Sequence, residues 1–169
     1  MKTKIVLDAD VIIHFAKGNL LSILPTIFTT YDYILLDTVY KEIKPPIKSQ
    51  LDNQIHFIGN IKIIAFKPTG IELKEYAQLI QSKGKGESAC LAFCRFNHNV
   101  IGSSNLKDIA LYCKEFGITY VTTLDFLYFA IQKRIITEKE ANQFIQDVRM
   151  NDSKLPDITM DSFISSVQL

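Results

Sequence analysis

The chain has 169 residues, of which 47% are hydrophobic and 22% charged, and a net charge of +1. That size and composition fit one globular domain with a single core and exclude an extensively disordered chain. The near-neutral charge excludes nucleic-acid binding through a bulk basic excess, so phosphate contact requires a local basic patch or a metal.

Lys4 to Asp8 opens the chain with Ile5-Val6-Leu7 and ends on an acid. Three consecutive apolar residues predict a strand buried on both faces. Asp10 stands where a helix N-cap would be, and Val11 to Ala16 supply the apolar turns up to Gly18. Leu20 to Phe28 predicts a second helix. Tyr33 to Leu36 is the second strand. Asp37 or Thr38 caps a third helix, which carries Glu42 and stops at Pro45-Pro46. A short helix and a turn at Gly59-Asn60 follow, then a strand over Ile61 to Phe66. Ile71, Leu73, Tyr76, Ala77, Leu79 and Ile80 give helical periodicity from Thr69 to Ser82.

Lys83-Gly84-Lys85-Gly86 predicts a loop before a helix from Glu87 to Phe96. Val100 to Gly102 is a strand, Leu106 to Phe116 a helix ended by Gly117, and Ile118 to Val121 the last strand. Two helices follow over roughly 124–133 and 137–149, with Thr137 and Glu140 in a capping-box pattern. Residues 1–150 thus form the domain, and 151–169 a tail broken by Pro156 in which Met160 to Val167 forms a short closing helix. Strands alternating with helices predict an α/β fold, a mostly parallel sheet flanked by helices on both faces.

Cys90, Cys94 and Cys113 form no CxxC pair, the start lacks a signal-peptide pattern, and no apolar run is long enough to span a bilayer. A cytoplasmic setting with free thiols is expected. Cys90, Cys94 and His98 recur every four residues, a spacing that suits a soft-metal site but is explained by buried cysteines in a core helix. His14 and His56 have no partner that the sequence reveals.

In open parallel sheets, ligands bind at the carboxyl ends of the strands. Acids recur there: Asp8-Ala9-Asp10 after the first strand, Glu42 on the helix after the second, Glu87 after the Gly/Lys loop, Asp108 after the strand at Val100 with the amide of Asn105 before it, and Asp125 after the last. Converging carboxylates persist only with a cation between them or protons on them. Oxygen-only ligands suit Mg²⁺ or Mn²⁺, which activate water and stabilise phosphoryl charge. Asp10 is assigned to the helix cap, and Asp125 to a cap or a supporting position. Lys83 and Lys85 are the best placed phosphate contacts, ahead of Arg95, Lys107, Lys133 and Arg134. Ser103, Ser104, Thr122 and Thr123 either bond to ligands and substrate or cap turns. The Gly/Lys loop lacks the spacing of a Walker motif.

The segments KIVLDADVIIHFAKGNLLSIL, LLDTVYKEI, GKGESACLAFC and SSNLKDIALYCKEFGITYVTTLDFLYFAI resemble, in spacing and order, the PIN-domain family, over about residues 4 to 149. The likeness is closest to stand-alone prokaryotic proteins related to VapC-type toxin ribonucleases. It implies a PIN-like (Rossmann-like) three-layer fold and a Mg²⁺- or Mn²⁺-dependent endoribonuclease. On that resemblance Asp8, Glu42 and Glu87 hold metal and act in catalysis. Relatives commonly carry aspartates at a fourth position; here Ser104-Asn105 stands there, with Asn105 or Asp108 able to supply the ligand, and Asp108 to join in catalysis. The resemblance also implies an RNA substrate, an antitoxin partner and a homodimer, which the apolar Leu20 to Phe28 helix would serve. Two rivals remain. One is a PIN-like domain that binds RNA or a partner without cutting. The other is a haloacid-dehalogenase-type phosphatase, on the likeness of Asp8-Ala9-Asp10 to an Asp-x-Asp start, though no late Lys and acidic pair follows.

Overall fold

The Ile5-Val6-Leu7 run lies at the centre of the molecule. The computed structural model describes residues 2–169, and in it this run belongs to β1, Lys4–Leu7. β1 pairs with β2 (Asp32–Leu36) on one side and with β4 (Val100–Gly102) on the other. β3 (Ile61–Ile64) lies outside β2, and β5 (Tyr120–Val121) outside β4. The order is β3-β2-β1-β4-β5 with every pairing parallel. All carboxyl ends therefore share one edge, and the order reverses between β1 and β4, where open α/β sheets take their ligands.

Eight α-helices among the described residues cover the sheet, making a three-layer α/β fold. They are α1 (Ala9–Lys17), α2 (Asp37–Glu42), α3 (Ile47–Asp52), α4 (Gly70–Leu79), α5 (Lys85–Asn97), α6 (Leu106–Phe116), α7 (Thr123–Gln132) and α8 (Glu138–Met150). Ile5, Val6 and Leu7 are all buried, as are Leu35 and Ile101 beside them. Because neighbouring strand residues point to opposite faces, a fully apolar strand is stable only when both faces are covered. Phe15 of α1 packs against Phe126 of α7 and Phe144 of α8, with ring centroids 5.9 and 5.1 Å apart, and ties one helical layer together.

Gly18, at the end of α1, lets α8 come close. A Cβ there would lie 2.1 Å from the Phe144 ring. Gly18→Ala is expected to cost about 2 kcal/mol through overpacking, a fall in Tm of roughly 4–8 °C. A thermal melt of the variant checks this; an unchanged Tm would show that Phe144 moves aside freely.

Several local expectations change. Leu20 to Phe28 is no helix but a set of turns around a short 3₁₀ segment, Leu24–Thr26. Pro25 has no N–H to continue an α-helix. Leu21, Leu24, Ile27 and Phe28 are buried, so this segment is core and offers no helix face to a second copy. The expected Lys83 to Gly86 loop is shorter: Gly84 is the N-cap and Lys85 opens α5, with the Ser88 N–H donating to the Gly84 carbonyl at 2.9 Å. β5 begins only at Tyr120, because the Ile118 N–H donates to the Cys113 carbonyl at 2.8 Å and closes α6.

The closing helix reduces to a 3₁₀ turn, Met160–Ser162. Beyond it the Ser165 hydroxyl oxygen accepts the Val167 N–H at 3.2 Å, a local bond that competes with a helical ladder. The segment is held instead by side chains. Met160 is buried, its N–H donates to Asn142 Oδ1 at 2.7 Å, and Ser165 Oγ donates to Asp125 Oδ1 at 2.6 Å. The Thr137/Glu140 capping box at the start of α8 is present as the sequence indicates.

Candidate metal and nucleic-acid site

β1 delivers Asp8 to the carboxyl edge. Its N–H donates to the Gly102 carbonyl of β4 at 2.8 Å, and its Oδ1 accepts the Ala9 N–H at 2.8 Å. Asp8, not Asp10, is therefore the N-cap of α1. Asp10, one turn position further on, is freed to face β4. Its Oδ1 accepts the Val11 N–H at 2.7 Å, and its Oδ2 accepts the Ser104 N–H at 2.7 Å. Ser103 Oγ lies 3.2 Å from Asp8 Oδ2 and 3.5 Å from Asp10 Oδ2, so one hydroxyl serves both acids.

Glu42 closes α2 and reaches α5, where its Oε1 accepts the Gly86 N–H at 2.9 Å. Glu87, third in α5, is buried, and its Oε1 accepts from Asn105 Nδ2 at 2.8 Å. The same Asn105 amide donates to Asp108 Oδ2 at 2.7 Å. Asn105 thus presents its nitrogen to two carboxylates.

Proximity and burial push Asp8, Asp10 and Glu87 above their ordinary range. Burial raises Asp8 first, then the charge of Asp10, with Glu42 adding a little; the Ala9 N–H and Ser103 work against it. Asp10 is raised by burial and by Glu87, against hydrogen bonds from Ser104 and Val11. Glu87 is raised to about 7 by burial and then by Asp8 and Asp108, with Asn105 and Lys83 opposing. Lys83 is thus the loop cation that acts on the cluster, while Lys85 is exposed. None of the ion pairs found among the described residues involves Asp8, Asp10, Glu42, Glu87 or Asp108.

The donor set is therefore oxygen-rich, anionic and mutually repelling, which fits a hard divalent cation. Among the described residues, however, no three His, Cys, Asp or Glu side chains form a ready-made ligand set. Several of these oxygens are occupied instead by N–H and O–H donors: Gly86 on Glu42, Asn105 on Glu87, Ser103 and Ser104 on the aspartates.

Behind the acids runs a hydrogen-bond chain that the sequence did not reveal. His14 Nδ1 is 2.8 Å from Thr123 Oγ1, Ser104 Oγ donates to Thr123 Oγ1 at 2.8 Å, and the Thr123 N–H donates to Ser104 Oγ at 2.8 Å. Burial pushes His14 down to about 4, so near neutrality its ring is uncharged. The one available signal was the spacing of Asp10 and His14, four apart on one helix face. Ser104 and Thr123 consequently brace Asp10 from behind. Asp125 stays outside the cluster: its Oδ2 accepts the Thr122 N–H at 2.8 Å in a capping box.

Other candidates are engaged elsewhere. Arg95 pairs with Glu75 at 2.8 Å and lies 3.5 Å over the Phe116 ring, and Lys133 bonds the Ile27 carbonyl over the Phe28 ring. Cys90, Cys94 and Cys113 are free and buried, and His98 ends α5 in a left-handed conformation, so the soft-metal spacing is core packing.

Gly86 sets the position of Glu42. A Cβ at Gly86 would meet Glu42 Oε2 at 2.6 Å. Gly86→Ala should leave α5 intact, since alanine is the better helix former by about 1 kcal/mol. The exposed Glu42 carboxylate is what gives way. The expected result is an unchanged or higher Tm together with roughly tenfold weaker Mn²⁺ binding by calorimetry. Unchanged binding would remove Glu42 from the ligand set.

A parallel sheet between helical layers, with acids from separate segments gathered at its carboxyl edge, defines an α/β domain with a candidate metal-binding edge. The family profile that matches, described as PIN domain, covers residues 4–168, and the chain belongs to the PIN-domain family. Members are generally nucleases, which places the chain among hydrolases acting on nucleic acid. No curated protein and no solved structure matches the chain. Family membership takes the place of the haloacid-dehalogenase-type reading of Asp8-Ala9-Asp10. No helix among the described residues is long and apolar enough to cross a membrane.

Proposed function

We propose that this chain is a divalent-metal-dependent endoribonuclease that cuts RNA phosphodiester bonds, with residues 1–150 and the tail 151–169 acting as one domain. The observation that carries this reading is the meeting of Asp8, Asp10, Glu87 and Asp108 at one sheet edge, with Glu42 alongside and no ion-paired cation among them. Asp8, Glu42 and Glu87 would hold Mg²⁺ or Mn²⁺, with Asp108 or Asn105 at the fourth corner. A bound ion would supply water activation and neutralise phosphoryl charge. Asp10 joins the ligands or fixes the Ser103-Ser104 turn. Lys83 and Lys85 supply positive charge toward a phosphate, and Ser104 and Thr123 keep the edge in shape. By likeness to VapC-type proteins, the chain acts in the cytoplasm, as the toxin of a pair with an antitoxin, and forms a homodimer.

Purified protein should cut single-stranded RNA with Mg²⁺ or Mn²⁺ and stop when a chelator is added. Cutting that survives the chelator would overturn the metal-dependent reading. One observation favours a second reading, a PIN domain that binds RNA or a partner without cutting: the Asn105 amide already bridges Glu87 and Asp108. Calorimetry separates the two, since absence of Mn²⁺ binding at millimolar concentration favours the non-catalytic form.

A further inference from the structure

A cavity of about 650 Å³ opens next to the carboxylate edge, and nothing in the roles described above uses it. Its walls come from the start of α6, the segment leading into β5, the start of α7 and the C-terminal segment. Ser104 belongs to both places: its N–H holds Asp10, and it also lines the cavity. The cavity therefore begins one residue from the hydrogen bond that holds Asp10.

The lining is mixed. Leu106 and Phe163 provide apolar surface, and Thr119 and Gln168 provide hydrogen-bonding groups. Leu106 and Ile164 are 45% and 80% exposed, so the cavity presents apolar side chains to solvent. Asp125 also borders it, but that carboxylate accepts from Thr122 and Ser165. Lys154 is the lining cation. The volume lies in the ordinary range for small ligands, roughly 300–1,000 Å³, and is too small for a folded partner. Apolar walls with a few polar groups suit a ring with two flat faces and a hydrogen-bonding edge.

We propose that this cavity is a base-binding subsite, which takes the nucleoside flanking the scissile phosphate of single-stranded RNA. The proposal rests on the nuclease reading for its substrate, and on the shared Ser104 and the lining for its place. The base lies against Leu106 and Phe163, its edge reaches Thr119 and Gln168, and Lys154 faces the backbone. The subsite gives the acids a register on the strand that a cation alone does not.

Amide shift mapping tests this with the full chain in the presence of chelator, so that cleavage plays no part. The probes are the four ribonucleoside 5′-monophosphates, with inorganic phosphate as the control. The expected result is saturable shifts at Leu106, Tyr120, Phe163 and Ile164 with at least one nucleotide and none with phosphate. Leu106→Ala should weaken binding about fivefold, and Thr119→Trp, an exposed site filled by a large ring, should abolish it. Equal shifts with phosphate, shifts confined to the acids, or none at all would overturn the subsite. A chain that binds nucleotide here but cuts no RNA overturns the nuclease reading alone. A chain that cuts RNA without these shifts overturns the subsite alone.

Discussion

Asp8→Asn is expected to stop RNA cleavage while making the metal-free protein more stable. Removing a group that merely supports a metal ligand costs 10- to 100-fold, so losing a ligand should cost more than about 100-fold in kcat/KM. The stability arm has the opposite sign. Asp8 is buried, and its ionised form is disfavoured by burial and by Asp10 and Glu42. Asparagine keeps the shape and removes the charge. At pH 8 without metal the gain should be about 1 kcal/mol, or roughly 2–4 °C in Tm. Cleavage assays and melts on the same preparation decide it. Retained cleavage would remove Asp8 from the mechanism. Lost cleavage with a lowered Tm would make it a structural residue.

The second large effect is on pH. In the unfolded chain a glutamate loses its proton near pH 4.5, whereas folded Glu87 holds its proton to about 7, and Asp8 and Asp10 shift the same way. The folded state thus binds more protons than the unfolded state between those limits. By linkage, the contribution of these acids to metal-free stability is fullest below the unfolded value and is lost as pH rises through 7, against an opposite slope below about 6.5 from His14, which folding holds neutral down to about 4. At about 1.4 kcal/mol per pKa unit, Glu87 alone accounts for roughly 3 kcal/mol across this window. Denaturant titrations from pH 5 to pH 8 in chelator should show the decline. Added Mn²⁺ should reverse it at pH 8 and do little at pH 5, where protons compete for the ligands. Glu87→Gln should flatten the curve. A profile that Glu87→Gln leaves unchanged would mean that Glu87 is not held protonated in the folded chain.

The fold was largely legible because its strands carry continuous apolar runs and its helices carry caps. Ile5-Val6-Leu7 has no polar face to turn toward water, and Thr137 with Glu140 marks a helix start by hydrogen bonding alone. The misses have local causes. Leu20 to Phe28 has the composition of a helix but contains Pro25, and its apolar residues point into the core from turns. Met160 to Val167 lost its helix to the Ser165 hydroxyl, a competitor that residue patterns do not weigh.

At the site, position after strands and family likeness pointed to Asp8, Glu42 and Glu87, and the fold brings them to one edge. Asp10 was misplaced because a capping aspartate and a site aspartate two residues apart look alike until the helix start is fixed to one residue. The His14–Thr123 contact spans 109 residues and leaves no trace in local pattern. Asn105 and Asp108 were seen, but not the amide that joins Asp108 to Glu87.

The pairing of β1 with β4 has a consequence for synthesis. Asp8 and Asp10 meet Ser103 and Ser104 across 95, 93 and 94 residues of sequence. Domains emerge from the ribosome from the N-terminus onward, and contacts so far apart form late. A nascent chain that has made β1, β2 and β3 already carries Asp8 and Glu42 but lacks Glu87 and the β4 edge. The acids assemble only once β4 has slotted in beside β1. On the proposed reading, a half-made chain therefore has no complete acid cluster with which to hold a metal.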